Sequence, residues 1–411
     1  MKIFIMIGWR NLWRNKRRSL VVISSIGLGI FAMILSVGIM NGMNNQMVEN
    51  TIRTSLGHIS IQHRGFQEDM SLENSFTPPD NLYTKLGTVP GLIAFSPRIK
   101  LEGMIQSSEA SRGVLITGID PERETSLSDI SSYMLPVNGS RYLSDPDAHD
   151  MLISRTMSEK LDIGTGDKGV LMFQDLSKEI VAVAFKVRGL YQSPVESFDR
   201  YVVYTGIEAM GKLTGLNRRI SELSVRVDHR DVVDSVKQQI QTMISDPSIA
   251  VLSWKDMAPN LLSAIKLFDT SMYIFFAIVF VTVIFSVANT LIMAIMERFH
   301  EIGVMKSIGT RPSWVFAMVL FEAVNLGIVG LAAGTLVGSS VIAVLSVTGI
   351  DFSFYAESMR VWGTETIIYP SLKPMDILAS IMIVLATTLI AAVYPAAKAA
   401  RIKPLDALHY I

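Results

Sequence analysis

The sequence predicts a membrane protein of four transmembrane α-helices with a large mixed α/β extracytoplasmic domain between helices 1 and 2. Three observations predict it. Four apolar runs are each long enough to cross a bilayer, a span needing about 20 mostly apolar residues. A polar interval of about 230 residues separates the first run from the second. Lys and Arg gather beside some run ends and not others. Composition agrees, since 49% of the 411 residues are hydrophobic and only 18% are charged, against about 25% charged in soluble domains.

The first run, 19–41, contains no charge and follows a basic stretch. It is too long for the apolar region of a signal peptide and no A-x-A site follows, so it reads as a span. The others cover 271–296, 314–349 and 375–397. The third is longer than one crossing requires, which predicts tilt or an extension beyond the bilayer. Residues 1–18 hold Lys2, Arg10, Arg14, Lys16, Arg17 and Arg18; segment 297–313 holds Arg298, Lys306 and Arg311; the tail 398–411 holds Lys398, Arg401 and Lys403. Segment 350–374 holds only Arg360 and Lys373 against Asp351, Glu357 and Glu365. The positive-inside rule therefore predicts that both termini and 297–313 are cytoplasmic, with 42–270 and the short loop 350–374 outside. The expected location is a membrane that the chain crosses four times.

Within 42–270, strands are expected at His58–His63, Gly113–Gly118, Val170–Phe173, Ile180–Leu190, Tyr201–Tyr204 and Leu223–Val227. Helices are expected at Ser154–Leu161, Ile207–Thr214 and Asp231–Ile244. The flanks Asn41–Thr54 and Met257–Thr270 read as outward continuations of the first and second spanning helices. Residues Ile5–Arg18 form an amphipathic pattern, with Arg10, Arg14, Arg17 and Arg18 on one face and Ile5, Trp9, Leu12 and Trp13 on another. That pattern suits a helix lying on the inner leaflet and in contact with membrane lipid.

Small residues let membrane helices approach closely. Gly330, Gly334 and Gly338 form a double G-x-x-x-G and predict a packing ridge. Glu322 and Asn325 lie inside the third run, where a polar group needs a protein or water partner; structural pairing is expected rather than a proton relay. Enzyme signatures fail on context. Gly164, Gly166 and Gly169 spell G-x-G-x-x-G, but a helix-like stretch precedes and a strand follows, the reverse of a dinucleotide loop. Ser263 and Lys266 lack the companion motifs of a Ser/Lys acylase. His58 and His63 have no carboxylates placed beside them for metal binding, and there is no Cys. Zero net charge disfavours nucleic acid as a partner. No phosphate-binding G-x-x-x-x-G-K-[ST] occurs. No catalytic, cofactor-binding or metal residues are expected.

Two segments carry a family resemblance. Asn289-Thr290-Leu291-Ile292-Met293 followed by Glu297-Arg298-Phe299-His300-Glu301-Ile302-Gly303-Val304-Met305-Lys306-Ser307-Ile308-Gly309 is similar to the N-T-L-x-M…E-R-x-x-E-I-G-x-x-x-A-x-G segment of FtsX-like permeases, with Ser307 where Ala is usual. Tyr394-Pro395-Ala396-Ala397-Lys398-Ala399-Ala400-Arg401-Ile402-Lys403-Pro404-Leu405-Asp406-Ala407-Leu408 resembles the same family's tail. Gly118-Ile119-Asp120-Pro121, Lys160–Gly164 and Trp254 add weaker likenesses in the external domain. The chain thus resembles the permease subunits of MacB/FtsX-like ABC transporters, most of all the lipoprotein-releasing LolC/LolE type.

The resemblance implies that segment 297–313 is a coupling helix against an ABC ATPase dimer, with Glu297, Arg298, Glu301, Ile302, Gly303, Met305, Lys306 and Gly309 as its contact residues. Apolar Ile302, Val304, Met305 and Ile308 in a short polar insertion suit a helix docking into a groove. ATP and Mg2+ would be bound by that partner and by nothing in this chain. A second permease copy or a paralogue, a lipoprotein or other amphipathic cargo, and a periplasmic carrier are the further partners implied. The implied location is the bacterial inner membrane, and the implied mechanism is mechanotransmission, with cargo drawn from the outer leaflet. Efflux of drugs or peptides, and a platform activating external cell-wall hydrolases, are the competing readings. MacB-type proteins carry their ATPase in the same chain, whereas this sequence reaches its first span almost at once, which favours the split, lipoprotein-releasing arrangement. Met40, Met43 and Met47, with Phe268, Met272, Phe275 and Phe276, are adaptable apolar side chains and the candidates for contact with an acyl-chain cargo.

Overall fold

The computed structural model describes residues 16–137, 139–244 and 246–404. The interfacial helix expected over 1–18 lies outside the described residues except for its last three, as do residues 405–411 of the tail. The strands and the helices that position the site are, in chain order, α1 (Lys16–Thr51), β1 (Ile59–His63), β2 (Leu92–Gln106), β3 (Ser111–Ile119), α2 (Pro121–Leu127), β4 (Asp150–Ser154), β5 (Lys168–Gln174), β6 (Ile180–Tyr191), β7 (Val202–Gly206), β8 (Glu222–Val227), β9 (Ile249–Ser253), α3 (Pro259–Glu297), α4 (Phe299–Ser307), α5 (Pro312–Thr348), β10 (Ile350–Asp351), α6 (Ala356–Val361), β11 (Ile367–Ile368) and α7 (Pro374–Ala400); shorter helices of the α/β unit include Arg155–Leu161, Ile207–Thr214 and Val233–Met243. Two compact units emerge. One holds the chain up to Asn44, Ala264–Asp351 and the chain from Ile367 onward; the other holds Asn45–Ser263 and Phe352–Thr366.

The first unit is a bundle of the four helices long and apolar enough to cross a membrane. They are apolar all round, as helices surrounded by lipid must be. Val22, Ile26 and Ile30 of α1 pack with Val283 and Val287 of α3, Leu326 of α5 and Val384 of α7. The predicted glycine ridge faces α1. A Cβ on Gly334 would lie 2.4 Å from the Gly27 carbonyl oxygen and 2.4 Å from Ile30 Cγ2, so only glycine admits this backbone approach. Gly330 meets Ile26 and the Ile23 carbonyl, and Gly338 meets Ile34. The ridge is an interface inside one chain. Ser286 Oγ donates to Ser25 Oγ at 2.7 Å, a polar tie between α3 and α1.

The second unit is built on nine strands in the order β3-β7-β4-β6-β5-β2-β8-β1-β9, with β3 also paired to β2. That extra pairing closes six strands into a ring, which leaves no free edge among them. β3–β7 and β4–β6 are parallel, and the remaining pairs are antiparallel. Ile99, Ile116, Ile153, Leu171, Phe185 and Val203 fill the interior. The six expected strands correspond to β1, β3, β5, β6, β7 and β8 within two residues at each end, and the three expected helices are present. β2, β4 and β9 were not expected from sequence. Gly164 and Gly166 lie in a turn closed by the Gly164 N–H donating to Asp167 Oδ2 at 2.8 Å, and Gly169 is already in β5. His58 is buried, and burial pushes its imidazole down to about 4, a neutral core histidine. Segment 350–374 is more than a loop: β10 pairs with β11 at its base, and Phe352–Thr366, including α6, belongs to the α/β unit.

Candidate functional site

The bundle end that carries α4 gathers most of the residues singled out by sequence. α3 stops at Glu297 because Arg298 leaves helical geometry, with φ −109° and ψ 18°, and caps α4. α4 ends at Ile308. Gly309 follows at φ +101°, the left-handed turn that favours glycine, with its N–H donating to the Lys306 carbonyl at 3.1 Å. Pro312 then opens α5 from its first turn, where a missing N–H costs nothing.

One side of α4 is fastened to the bundle. Ile302 and Gly303 are buried, and Phe299 and Met305 pack with Ile295 of α3, Val315 and Val319 of α5, and Ala396, Ala399 and Ile402 at the end of α7. Charge-assisted contacts hold both ends of the helix. Arg298 Nη1 reaches Glu322 Oε2 of α5 at 3.2 Å, both side chains being buried. Lys306 Nζ donates to the carbonyl oxygens of Ala400 at 2.8 Å and Ile402 at 2.5 Å. The Ala400 carbonyl is the last of α7 and Ile402 lies two residues past it, so the cation sits at the negative end of that helix. The opposite side is exposed: Glu297, His300, Glu301, Ser307, Ile308, Gly309, Arg311 and Trp314. Of the eight residues expected at this site, Glu297, Glu301 and Gly309 are on the outward side, while Arg298, Ile302, Gly303, Met305 and Lys306 face the chain's own bundle. Sequence reasoning anticipated a partner for Glu322 without naming Arg298, and passed over Trp314, whose signal was an aromatic residue just after a helix-opening proline.

The Met/Phe candidates differ in burial. Met40, Met43, Phe268, Met272 and Phe276 are half-buried, and Phe275 is exposed. Phe276 packs against the bundle core that also holds Met33. Asn44 Nδ2 lies 3.5 Å from Asp269 Oδ1, which brings α1 and α3 together at this level. Met47 is buried in the α/β unit, beside Gly363.

A second constellation lies where α1 enters the α/β unit. Beyond Thr51 the chain makes a π-helical turn, Ile52–Leu56. Its carbonyls are each received by a different group: Ile52 by the Gly57 N–H, Arg53 by the Asp129 N–H, Thr54 by Tyr204 Oη, Ser55 by the Arg98 guanidinium and Leu56 by Ser224 Oγ. Arg98, in β2, is fully buried and held by Glu124 of α2, with Nη2–Oε1 at 2.5 Å, and by Glu222 of β8 at 3.2 Å. Lys100 Nζ adds a contact to Glu222 at 2.7 Å, so two cations balance two carboxylates. Burial opposes the charge on Arg98, but Glu124 and Glu222 more than offset it and its pKa is raised. Burial likewise opposes the Glu222 anion, and Lys100 with Arg98 prevail and lower its pKa. A helix end received in this way cannot shift without breaking several bonds inside the domain.

A family model described as MacB-like periplasmic core domain matches residues 19–243, and one described as FtsX-like permease C-terminal matches residues 273–404. The chain is 23% identical over 430 residues to the lipoprotein-releasing system transmembrane protein LolC of Xylella fastidiosa, with 99% of this chain and 98% of that protein covered. It is 21% identical over 427 residues to the lipoprotein-releasing system transmembrane protein LolE of Haemophilus influenzae, with 98% of each covered. The crystal structure of the extracellular domain of the ABC-type transporter YknZ from Gram-positive bacteria aligns with 48% of this chain and all of that domain, at 17% identity and a TM-score of 0.34.

Proposed function

We infer the function from one premise: this chain belongs to the family of FtsX-like permeases with a MacB-like periplasmic core domain, and it is an ABC transporter permease of the LolC/LolE type. We propose that it works by mechanotransmission. In this reading both termini and α4 are cytoplasmic and the α/β unit is periplasmic. A separate ATPase dimer binds ATP and Mg2+ and pushes on α4. The second span carries that displacement outward, and the α/β unit drives lipoproteins from the outer leaflet toward the outer membrane. A dimeric motor requires two permeases, this chain and either a second copy or a paralogue.

One observation carries the reading. α4 is bonded inward at both ends, through Arg298–Glu322 and through Lys306 to the end of α7, and presents Glu301 and Ile308 outward. A helix that is to receive a push needs such a division, since its inner side must not slip while its outer side docks. The cognate complex, reconstituted in proteoliposomes with lipoprotein and carrier, tests it. Ile308→Asp should cost at least about tenfold in ATPase association, a buried apolar contact being worth more than about 1.4 kcal/mol. Lys306→Met should leave association intact and lower lipoprotein released per ATP hydrolysed. Undiminished release in both variants refutes the assignment. A cell-wall hydrolase recovered with the complex in place of lipoprotein would favour the platform reading.

A further inference from the structure

The segment between α5 and α7 has two unlike sides. On one side it is bonded into the α/β unit. Arg360 Nη2 lies 2.6 Å from Oδ2 of the buried Asp199, its Nε approaches the Ser193 carbonyl at 3.4 Å, and Asn50 Nδ2 donates to the Gly363 carbonyl at 3.1 Å. On the other side, Phe354 is 91% exposed and Tyr355 57% exposed, their rings in edge contact at 5.2 Å, and Val361 also stands in the open. A bare phenylalanine on a water-facing surface leaves unburied the apolar area whose burial would be favourable.

Its place in the chain limits what covers it. Phe354 follows Thr348, the last residue of α5, by six positions, so it lies within about 20 Å of that helix end. Pairing of Ile350 with Ile368 and of Asp351 with Ile367 pins the base of the segment beside the two helix ends. The apolar outer walls of these helices run to their last turns, with Val347 79% and Met375 71% exposed. In a spanning helix such side chains face hydrocarbon, so the bilayer boundary falls at the base of the segment. The charge of the segment excludes an electrostatic attachment. Asp351, Glu357 and Glu365 outnumber Arg360 and Lys373, and Arg360 is already committed to Asp199. What remains is aromatic insertion at the headgroup boundary, where amphipathic rings are stable.

We propose that Phe352–Val361 is a foot of the α/β unit on the bilayer surface, its Phe354 and Tyr355 rings sunk into the headgroup boundary while Arg360 fastens it to Asp199 from above. The foot rests on the reading of α5 and α7 as membrane spans. Its occupant is the lipid interface itself, charged or zwitterionic, and its attachment is insensitive to salt.

The chain contains no cysteine, so single labels can be placed without background. Phe354→Cys, Val347→Cys and Ile180→Cys, each carrying a nitroxide, are reconstituted as full chains in phosphatidylcholine vesicles. Accessibility to oxygen, which partitions into lipid, is compared with accessibility to a water-soluble nickel chelate. Ile180 is 75% exposed on β6 and serves as the aqueous reference. The oxygen-to-nickel ratio at position 354 should be several-fold above that at 180, below that at 347, and unchanged by high salt. A ratio equal to that at 180, with position 347 in hydrocarbon, overturns the foot and leaves the spans standing. A water-exposed label at 347 removes the spanning reading and the foot with it. Spin–spin broadening at 354 that grows with protein-to-lipid ratio means a second copy covers the rings, which also overturns the proposal.

Discussion

Substituting Gly334 by alanine isolates the closest helix approach in the bundle. The added Cβ would stand 2.4 Å from the Gly27 carbonyl oxygen, 2.4 Å from Ile30 Cγ2 and 2.9 Å from Gly27 Cα. Ordinary carbon contacts lie at about 3.5–4.0 Å, so α1 and α5 must part by about 1 Å. Two of the three obstacles are backbone atoms, which no rotamer change relieves. Overpacking of this kind costs typically about 1–3 kcal/mol. Parting the helices also opens gaps along Ile26, Ile30 and Ile34, and a gap of about 0.5–1 Å forfeits a quarter to a half of each dispersion contact. In lipid no hydrophobic drive restores those contacts. Against this, alanine gains up to about 1 kcal/mol in helix propensity over glycine. The expected net loss is about 2–3 kcal/mol. Gly338→Ala is the internal control: its Cβ meets only the Ile34 side chain, at 3.2 Å, which can yield, so the propensity gain should leave it near neutral. Gly330→Ala should fall between, since its neighbours include the Ile23 carbonyl at 3.0 Å. The assay is unfolding of the purified chain in mixed micelles titrated with dodecyl sulfate, followed by circular dichroism and by gel mobility. Equal midpoints for Gly334→Ala and the unaltered protein, or a Gly338 variant weaker than the Gly334 variant, would refute the helix contact on which the reasoning stands.

Two more predictions concern the α/β unit. Arg98→Met removes the guanidinium that pairs Glu124, leaves Glu222 with Lys100 alone and takes the donor from the Ser55 carbonyl, so it should cost about 3–5 kcal/mol, read as early proteolysis between α1 and β2; a variant as resistant as the parent would contradict the network. Burial raises the Asp199 carboxyl to about 6 from its ordinary 3.8, with Ser193 and Arg360 opposing the rise. A raised acid stabilises the fold most below its ordinary value, and that contribution is lost as pH climbs through about 6. Asp199→Asn should therefore flatten the dependence of the thermal midpoint on pH between about 4 and 7, and Arg360→Gln should steepen it by removing the group that favours the anion. Parallel pH curves for all three proteins would count against the Asp199–Arg360 contact.

The four spans were legible because lipid imposes a composition rule that holds residue by residue over 20 or more positions. The strands β3, β5, β6 and β8 were legible as β-branched and apolar runs bounded by turn residues. β2 was not, although it is the longest strand. It carries Pro97 in its interior and buries Arg98 and Lys100, all of which read locally as a loop. Their partners Glu124 and Glu222 are supplied by α2 and β8, far away in sequence, so no local pattern announces the network. The position of α4 was legible, its orientation was not. A nine-residue helix with apolar side chains on more than one side gives no unambiguous inner face, and the deciding contacts are Arg298 to Glu322 and Lys306 to the end of α7. The role of Phe352–Thr366 escaped for the same reason: Arg360 reads as a topology charge until Asp199 stands beside it.

The magnitudes of the α4 contacts decide how a push on that helix would travel. Hydrogen bonds to charged groups are worth about 1.5–3 kcal/mol each, and the contacts that hold α4 include three of them: Arg298 to Glu322, and Lys306 to the carbonyls of Ala400 and Ile402. Ile302, Phe299 and Met305 add buried apolar area to the same side. Coupling free energies between sites in proteins are typically about 1–3 kcal/mol. Stripping α4 from the bundle would therefore cost more than the coupling it is proposed to carry, whereas moving α4 together with the ends of α3, α5 and α7 breaks none of these contacts. The lower-cost response to a push is displacement of the bundle end as a body. Variants on the two sides of α4 should therefore behave differently. A change on the outward side, such as Ile308→Asp, removes the input, while a change on the inward side, such as Lys306→Met, leaves the input and lets the helix yield beneath it. Only the second should permit ATP to be hydrolysed at full rate with little cargo moved, and finding that pattern for the outward variant instead would reverse the assignment of the two sides.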